Sequence, residues 1–256
     1  MPDEVLCETV DAVGVVRINR PETLNALNLA LLDQIAAALE GFDGDGNVRC
    51  MLLGGSERAF SSGYDMAELA ATTATDIYRN NVFARWERLR AIRKPVVAAV
   101  SGYAISAGCE LMLAADIVIA SETARIGLPD TSVGSIPGAG GTQRLTRLAG
   151  KALAMDVILT GRTLSAEEAL AAGLVSRVVP RENYFSEGLH VCRELSKRAP
   201  LALQMAKRAV LDAYESSLAA GLAHEHALFQ IAFGSADHRE GLRAFLEKRP
   251  AIFAGR

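Results

Sequence analysis

The chain has 256 residues, long enough to bury a sizeable core as one α/β domain or as a core with a helical appendage. Half of the residues are apolar and 22% are charged, the balance of an ordinary water-soluble globule. A formal charge of −3 speaks against nucleic-acid binding, which usually shows a basic excess.

The start, Met1-Pro2-Asp3-Glu4-Val5, is acidic and has no basic segment followed by an apolar run. It predicts neither a secretory signal nor a mitochondrial presequence. Residues 13–18 are β-branched and predict a strand. Asn28 then caps a helix carrying Leu32, Ile35, Ala36, Leu39 and Phe42 at helical spacing. Asp43-Gly44-Asp45-Gly46 reads as a turn, and residues 48–53 as an apolar strand. Arg85, Arg88, Arg90, Arg93 and Lys94 form a basic cluster, read first as a solvated helix face and second as a landing site for a phosphate.

Residues 95–100 and 116–120 are apolar strands, and 174–179 is the last strand expected. Fully apolar strands separated by helices imply a sheet covered on both faces. The apolar stretch 95–107, broken by Ser101, Gly102 and Ser106, is too short to span a bilayer. From about Glu182 only amphipathic helical patterns remain. The expected organisation is an alternating core over 1–200 and a helical region over 201–256.

Two carboxylates stand out, Glu110 after Ser106-Ala107-Gly108-Cys109 and Asp130 after Gly127-Leu128-Pro129. Each sits in a glycine-punctuated turn that opens a helix. A carboxylate is expensive to bury, so a buried pair points to acid/base work. The bland alternatives are that Asp130 merely caps its turn and that Glu110 is a solvated first-turn residue. Cys7, Cys50, Cys109 and Cys192 are far apart and lack metal-ligand spacing, as expected of reduced thiols in a cytosolic protein. His224-Glu225-His226 does not put two histidines on one helical face, so no metal site is implied. Gly138-Ala139-Gly140-Gly141 is not a dinucleotide loop, and no GxSxG elbow is present.

Five ordered segments carry a family resemblance. They are Asn19-Arg20-Pro21-Glu22 with Leu24-Asn25-Ala26-Leu27; Ala59-Phe60-Ser61-Ser62-Gly63-Tyr64-Asp65-Met66; Gly102-Tyr103-Ala104 through Glu110; Ile136-Pro137-Gly138-Ala139-Gly140-Gly141-Thr142-Gln143-Arg144-Leu145; and the stretch from Ala171-Ala172-Gly173-Leu174-Val175 to Phe245-Leu246-Glu247-Lys248-Arg249. Together they resemble the crotonase (enoyl-CoA hydratase/isomerase) superfamily over nearly the whole chain. The resemblance implies an α/β fold, a spiral of ββα units followed by helices that form trimers or dimers of trimers. It also implies an enoyl-CoA hydratase that adds water across the 2,3 double bond of a thioester.

By resemblance Glu110 and Asp130 are catalytic, and the N–H groups of Tyr64 and Ala107 hold the thioester oxyanion. Leu24, Ala26, Ser61, Asp65, Met66, Phe229 and Lys248 would contact coenzyme A, which belongs to the substrate; no separate cofactor or metal is implied. The family often has a lysine two residues after the motif aspartate, and here that position is Ala67, which leaves Lys248, Arg20 or a neighbouring subunit to meet phosphate. It commonly has Ala or Gly at the donor positions, so Tyr64 is a modest departure whose side chain can trim the acyl pocket. Hydratases have Glu at both catalytic positions. Asp130 is one methylene short, about 1.5 Å, a displacement worth on the order of a hundredfold in rate unless something compensates. A bulky or cyclic acyl group is one compensation. The alternatives are a Δ3-Δ2-enoyl-CoA isomerase, which needs one base, a dehalogenase or decarboxylase on the same enolate logic, and a non-catalytic CoA-ester or RNA-binding relative.

Overall fold

The computed structural model describes residues 3–256; Met1 and Pro2, which open the acidic amino-terminal segment, lie outside the described residues. The strands are β1 (Val5–Val10), β2 (Val13–Ile18), β3 (Cys50–Gly54), β4 (Ala59–Ser61), β5 (Val96–Val100), β6 (Tyr103–Ile105), β7 (Ile117–Ser121), β8 (Arg125–Gly127), β9 (Leu164–Ser165) and β10 (Arg177–Val179). They form a six-stranded sheet in the order β1-β2-β3-β5-β7-β10 and a four-stranded sheet in the order β4-β6-β8-β9. The large sheet is parallel apart from the β1–β2 hairpin. After each of β3, β5 and β7 the chain steps across to the small sheet for β4, β6 and β8, so successive units build a spiral.

The apolar strands owe their continuous hydrophobicity to cover on both sides. On β5, Val97 and Ala99 pack with Leu52, Ile119, Tyr184 and Val191, while Ala98 and Val100 face Leu31, Leu32, Ile35 and Met112. The helix Tyr184–Ser196 covers the first face. It comes close because Gly188 has no Cβ, which would stand 2.9 Å from a Leu52 methyl. The helix Leu29–Gly44 covers the other face and begins where expected, with the Asn28 side chain accepting from the Leu31 N–H at 2.7 Å.

Some local expectations need correction. The helix Leu29–Gly44 continues through the first half of the expected turn at 43–46, and the last strand begins only at Arg177. The hairpin strand β1 and the entire small sheet have no counterpart in the sequence-based strand set. β1 is mostly exposed and lacks an apolar face; β4, β6 and β8 are three residues each, too short for periodicity to register.

Beyond Val179 the described residues are helical or irregular. Pro200–Asp212, Leu218–Phe233 and Ala236–Leu246 form the carboxy-terminal region, and the buried Asp237 fastens the tail by accepting from the N–H groups of Ala254 (2.7 Å) and Gly255 (2.8 Å). Among the described residues no helix is long and apolar enough to cross a membrane.

Candidate active site

Gly102 starts the site. Its φ is +61°, and a Cβ there would lie 1.9 Å from the Arg58 carbonyl oxygen, so a glycine lets the chain turn from β5 into β6. β6 then delivers the seven-residue helix Ala107–Leu113, every residue of which is buried. Glu110 in its first turn is fully buried. Its Oε1 accepts from the backbone N–H groups of Ala139 (2.7 Å) and Gly141 (2.8 Å), and its Oε2 is buried without a partner among the described residues. A Cβ on Gly141 would stand 3.0 Å from that Oε1 and 2.8 Å from Pro137 Cβ, so the approach of this amide requires glycine. Burial raises the Glu110 carboxyl to about 7 from its ordinary 4.5; the two amides oppose the rise, Asp130 adds to it, and Arg144 lowers it. A solvated first-turn glutamate is therefore excluded.

Asp130 leaves β8 at the start of a short 3-10 turn, Asp130–Val133, and is also buried. Its side chain does not cap that turn. Instead Oδ1 accepts from the Ser106 hydroxyl at 2.6 Å, and Oδ2 is buried with no partner among the described residues. Both carboxylates thus hold one oxygen fixed and keep the other uncommitted.

The two expected amide donors lie on touching turns. Leu27 N–H donates to Gly63 O at 2.7 Å and Asp65 N–H to Leu27 O at 2.9 Å, which brackets Tyr64 and leaves its own N–H without an acceptor among the described residues. The N–H of Ala107, first residue of the buried helix, also has no acceptor among the described residues. Gly63, at φ +108°, lets its turn meet the next one: a Cβ there would be 2.8 Å from Ser106 Cβ. Gly108 does the same against Ser61, whose carbonyl oxygen would be 2.5 Å from an added Cβ. The phenol of Tyr64 has its pKa raised by burial and by the nearby Glu110 and Asp130, so its side chain shares their space.

The remaining candidates divide into two groups. The Leu24–Leu27 segment runs beside Ser62–Asp65, with Ser62 N–H donating to Leu24 O at 3.0 Å, so Leu24, Ala26, Ser61, Asp65 and Met66 fall together. Within that group Ser61 is fully buried and Met66 is exposed, while Asp65 caps the helix Met66–Ala71 and pairs with Arg20 at 3.5 Å. Phe229 and Lys248 are not joined to them: the helix carrying Phe229 packs mainly on Pro200–Asp212 and Ala236–Leu246. Phe229 is exposed and lies against Phe233. Arg20, one of the expected phosphate contacts, is ion-paired with Glu4 at 3.0 Å and donates to Ala26 O at 2.8 Å.

The arginines of the basic cluster meet acidic partners and the Lys94 ammonium donates to the carbonyls of Phe42 and Asp45, so the cluster is not left open for phosphate. Arg85 meets Asp33 at 2.8 Å, Arg88 meets Glu40 at 2.6 Å and Arg93 meets Asp43 at 2.9 Å. His224 lies 2.7 Å from Asp212, and among the described residues no cluster of His, Cys, Asp and Glu is arranged for a metal ion. Two residues of the site carry little signal in the sequence. The sequence marks Ser106 only as a break in an apolar stretch, and Trp86, buried beside the Tyr64 phenol with no acceptor for its Nε1 in hydrogen-bond geometry among the described residues, is hidden by the arginines around it. Its singleness as the chain's one tryptophan is the only signal that could have drawn attention to it.

Comparison with known proteins converges on one family. The Enoyl-CoA hydratase/isomerase family model matches residues 8–256. The chain belongs to the enoyl-CoA hydratase/isomerase family. A probable enoyl-CoA hydratase of Mycobacterium bovis is 44% identical over 254 residues, covering 99% of each chain. A 2,3-dehydroadipyl-CoA hydratase of Escherichia coli is 42% identical over 253 residues, again 99% of each. A crystal structure of an enoyl-CoA hydratase from Geobacillus kaustophilus superposes with a TM-score of 0.96 at 40% identity, over 99% of both chains. The spiral of ββα units with its helical carboxy-terminal region is the crotonase fold of that family.

Proposed function

We propose that this member of the family is an enoyl-CoA hydratase. The observation that carries the reading is the pair of buried carboxylates, each with one unpartnered oxygen, beside two unpartnered backbone N–H groups. An isomerase needs a single base and would leave the second free carboxylate oxygen without a task.

Addition of water to a conjugated thioester passes through an enolate, so charge develops on the thioester oxygen. The N–H groups of Tyr64 and Ala107 receive that oxygen, and fixed donors in a dry pocket do this with little reorganisation. The free oxygens of Glu110 and Asp130 take up water and proton. One carboxylate accepts a proton as the water oxygen bonds to C3; the electron pair of the C2–C3 double bond moves onto the thioester oxygen; a carboxyl group then returns a proton to C2 as the enolate collapses. A Glu110 carboxyl held at about 7 exchanges protons readily near neutral pH.

The shorter Asp130 leaves room for an acyl group bulkier than a straight short chain, or a ring, while the inward Tyr64 phenol bounds that room on one side. Leu24, Ala26, Ser61, Asp65 and Met66 line the coenzyme A path, with Phe229 and Lys248 supplied across a subunit boundary. The exposed Phe229, Phe233, Phe245 and Leu246 on the carboxy-terminal helices support assembly into trimers or dimers of trimers. The test is to give purified protein crotonyl-CoA and a cyclic enoyl-CoA and follow loss of the conjugated thioester absorbance. Turnover of either supports the reading, and inactivity on both would overturn it.

A further inference from the structure

Ser106 stands at the N-cap of the helix Ala107–Leu113, where a serine ordinarily turns its oxygen back onto the helix amides. Here it makes no such cap. Its backbone is at φ 51°, ψ −124°, a strained conformation for a residue with a side chain, and its hydroxyl is aimed away from the helix at Asp130 Oδ1, 2.6 Å distant. The backbone is pinned on three sides. The N–H donates to Gly127 O at 2.9 Å, the carbonyl accepts from Glu110 N–H at 3.0 Å, and the Cβ sits in the space that Gly63 leaves by having none. Ser106 therefore touches every part of the site: it precedes the Ala107 amide, packs beneath the Tyr64 turn, anchors the Glu110 backbone and holds the Asp130 carboxylate.

We propose that Ser106 is the positioning residue for Asp130. The hydroxyl occupies Oδ1, fixes the plane of the carboxylate and leaves Oδ2 as the oxygen free to exchange a proton with substrate. A short side chain has less reach but also fewer rotamers, and one short hydrogen bond is enough to lock it. Ser106 is thereby the device that makes an aspartate serviceable where one more methylene would otherwise set the carboxylate. A glutamate at 130 would push its extra methylene and carboxylate towards the Ser106 hydroxyl, so serine and aspartate belong together as a pair.

The inference rests on the hydratase reading, and the experiment separates the two. Steady-state hydration is measured for the unmodified enzyme, Ser106→Gly, Ser106→Ala, Asp130→Glu and the Ser106→Gly/Asp130→Glu double variant. Glycine accepts the backbone conformation and alanine keeps the Cβ, so the two share only loss of the hydroxyl. Both single variants at 106 are expected to lower kcat about tenfold, with KM changed less than about twofold and the urea midpoint of Ser106→Gly unchanged or raised. In the Asp130→Glu background the sign reverses, and Ser106→Gly raises kcat by relieving the crowding. A kcat of Ser106→Gly within about twofold of the unmodified enzyme overturns the inference, as does an equal loss in both backgrounds, the result of a merely structural role. If the unmodified enzyme hydrates neither crotonyl-CoA nor a cyclic enoyl-CoA, the hydratase reading has failed. Ser106 is then judged by exchange of the α-hydrogens of butyryl-CoA in deuterated water, with the same expected and overturning patterns.

Discussion

Replacing Glu110 by glutamine should abolish hydration and at the same time stabilise the protein above neutral pH. The side chain is fully buried, and only Oε1 is hydrogen-bonded, so the ionised form loses more water than its two amide donors restore. That imbalance raises the carboxyl from 4.5 in an unfolded chain to about 7 in the folded one. A group whose folded pKa is raised contributes stability at low pH that is lost as pH rises through the folded value. The unmodified protein should therefore lose up to about 3 kcal/mol from this one group between roughly pH 4.5 and pH 8. Glutamine keeps an oxygen for the Ala139 and Gly141 amides and never ionises, so it escapes that loss. Urea unfolding of both proteins at one fixed concentration, repeated from pH 5 to pH 8.5, reads the difference directly. The two curves should nearly meet at the acid end and separate in favour of Glu110→Gln, with a plateau above pH 8. Parallel curves, or a glutamine variant weaker at pH 8, would refute the argument that the site holds an ionised carboxylate at the expense of stability.

Two further perturbations probe the same geometry. Gly141→Ala places a Cβ 3.0 Å from Glu110 Oε1 and 2.8 Å from Pro137 Cβ, so the amide must withdraw. Since that amide lowers the Glu110 pKa, the acid limb of kcat/KM against pH should move to higher pH, by about half a unit or more, in a pH–rate profile. An unmoved limb would detach Glu110 from the profile. Tyr64→Ala keeps the backbone N–H and removes the phenol packed near both carboxylates, so the preference for a long or cyclic enoyl-CoA over crotonyl-CoA should rise by about tenfold in kcat/KM. An unchanged ratio would show that the Tyr64 side chain does not bound the acyl pocket.

What the sequence disclosed follows from how local each signal is. The strands at 96–100 and 117–121 announce themselves because both faces are covered and every position but Ser121 is apolar. The Asn28 cap is a contact across three residues and was equally plain. The small sheet was invisible because β6 and β8 are three-residue strands whose pairing, not their composition, defines them. Glu110 and Asp130 were legible as carboxylates in glycine-rich turns, and the family motifs singled them out. Their environments were not, since the amides that hold Glu110 come from 29 and 31 residues downstream. Ser106 was hidden for a physical reason: residue type alone does not reveal that a serine at a helix start has turned its hydroxyl outward, because that depends on a backbone torsion fixed by Gly63 and Gly127.

The twenty-residue interval between the two carboxylates is itself a consequence of the spiral. β6 and β8 lie side by side and parallel, with Ile105 paired to Gly127. Chains leaving two neighbouring parallel strands emerge at the same end, so Ser106 and the 128–130 segment must exit together whatever their side chains. One exit turns at once into a helix and carries Glu110 a turn inside; the other bends at Pro129 and presents Asp130 in its first residue. β4, the strand before β6 in the same sheet, releases Gly63 and Tyr64 at that end as well. Three consecutive exits thus assemble two amides, two carboxylates and the serine between them. Each needs only a few fixed residues at the strand ends. The hydrogen bond from Ser106 to Asp130, 2.6 Å long, ties two of these exits together inside the site itself.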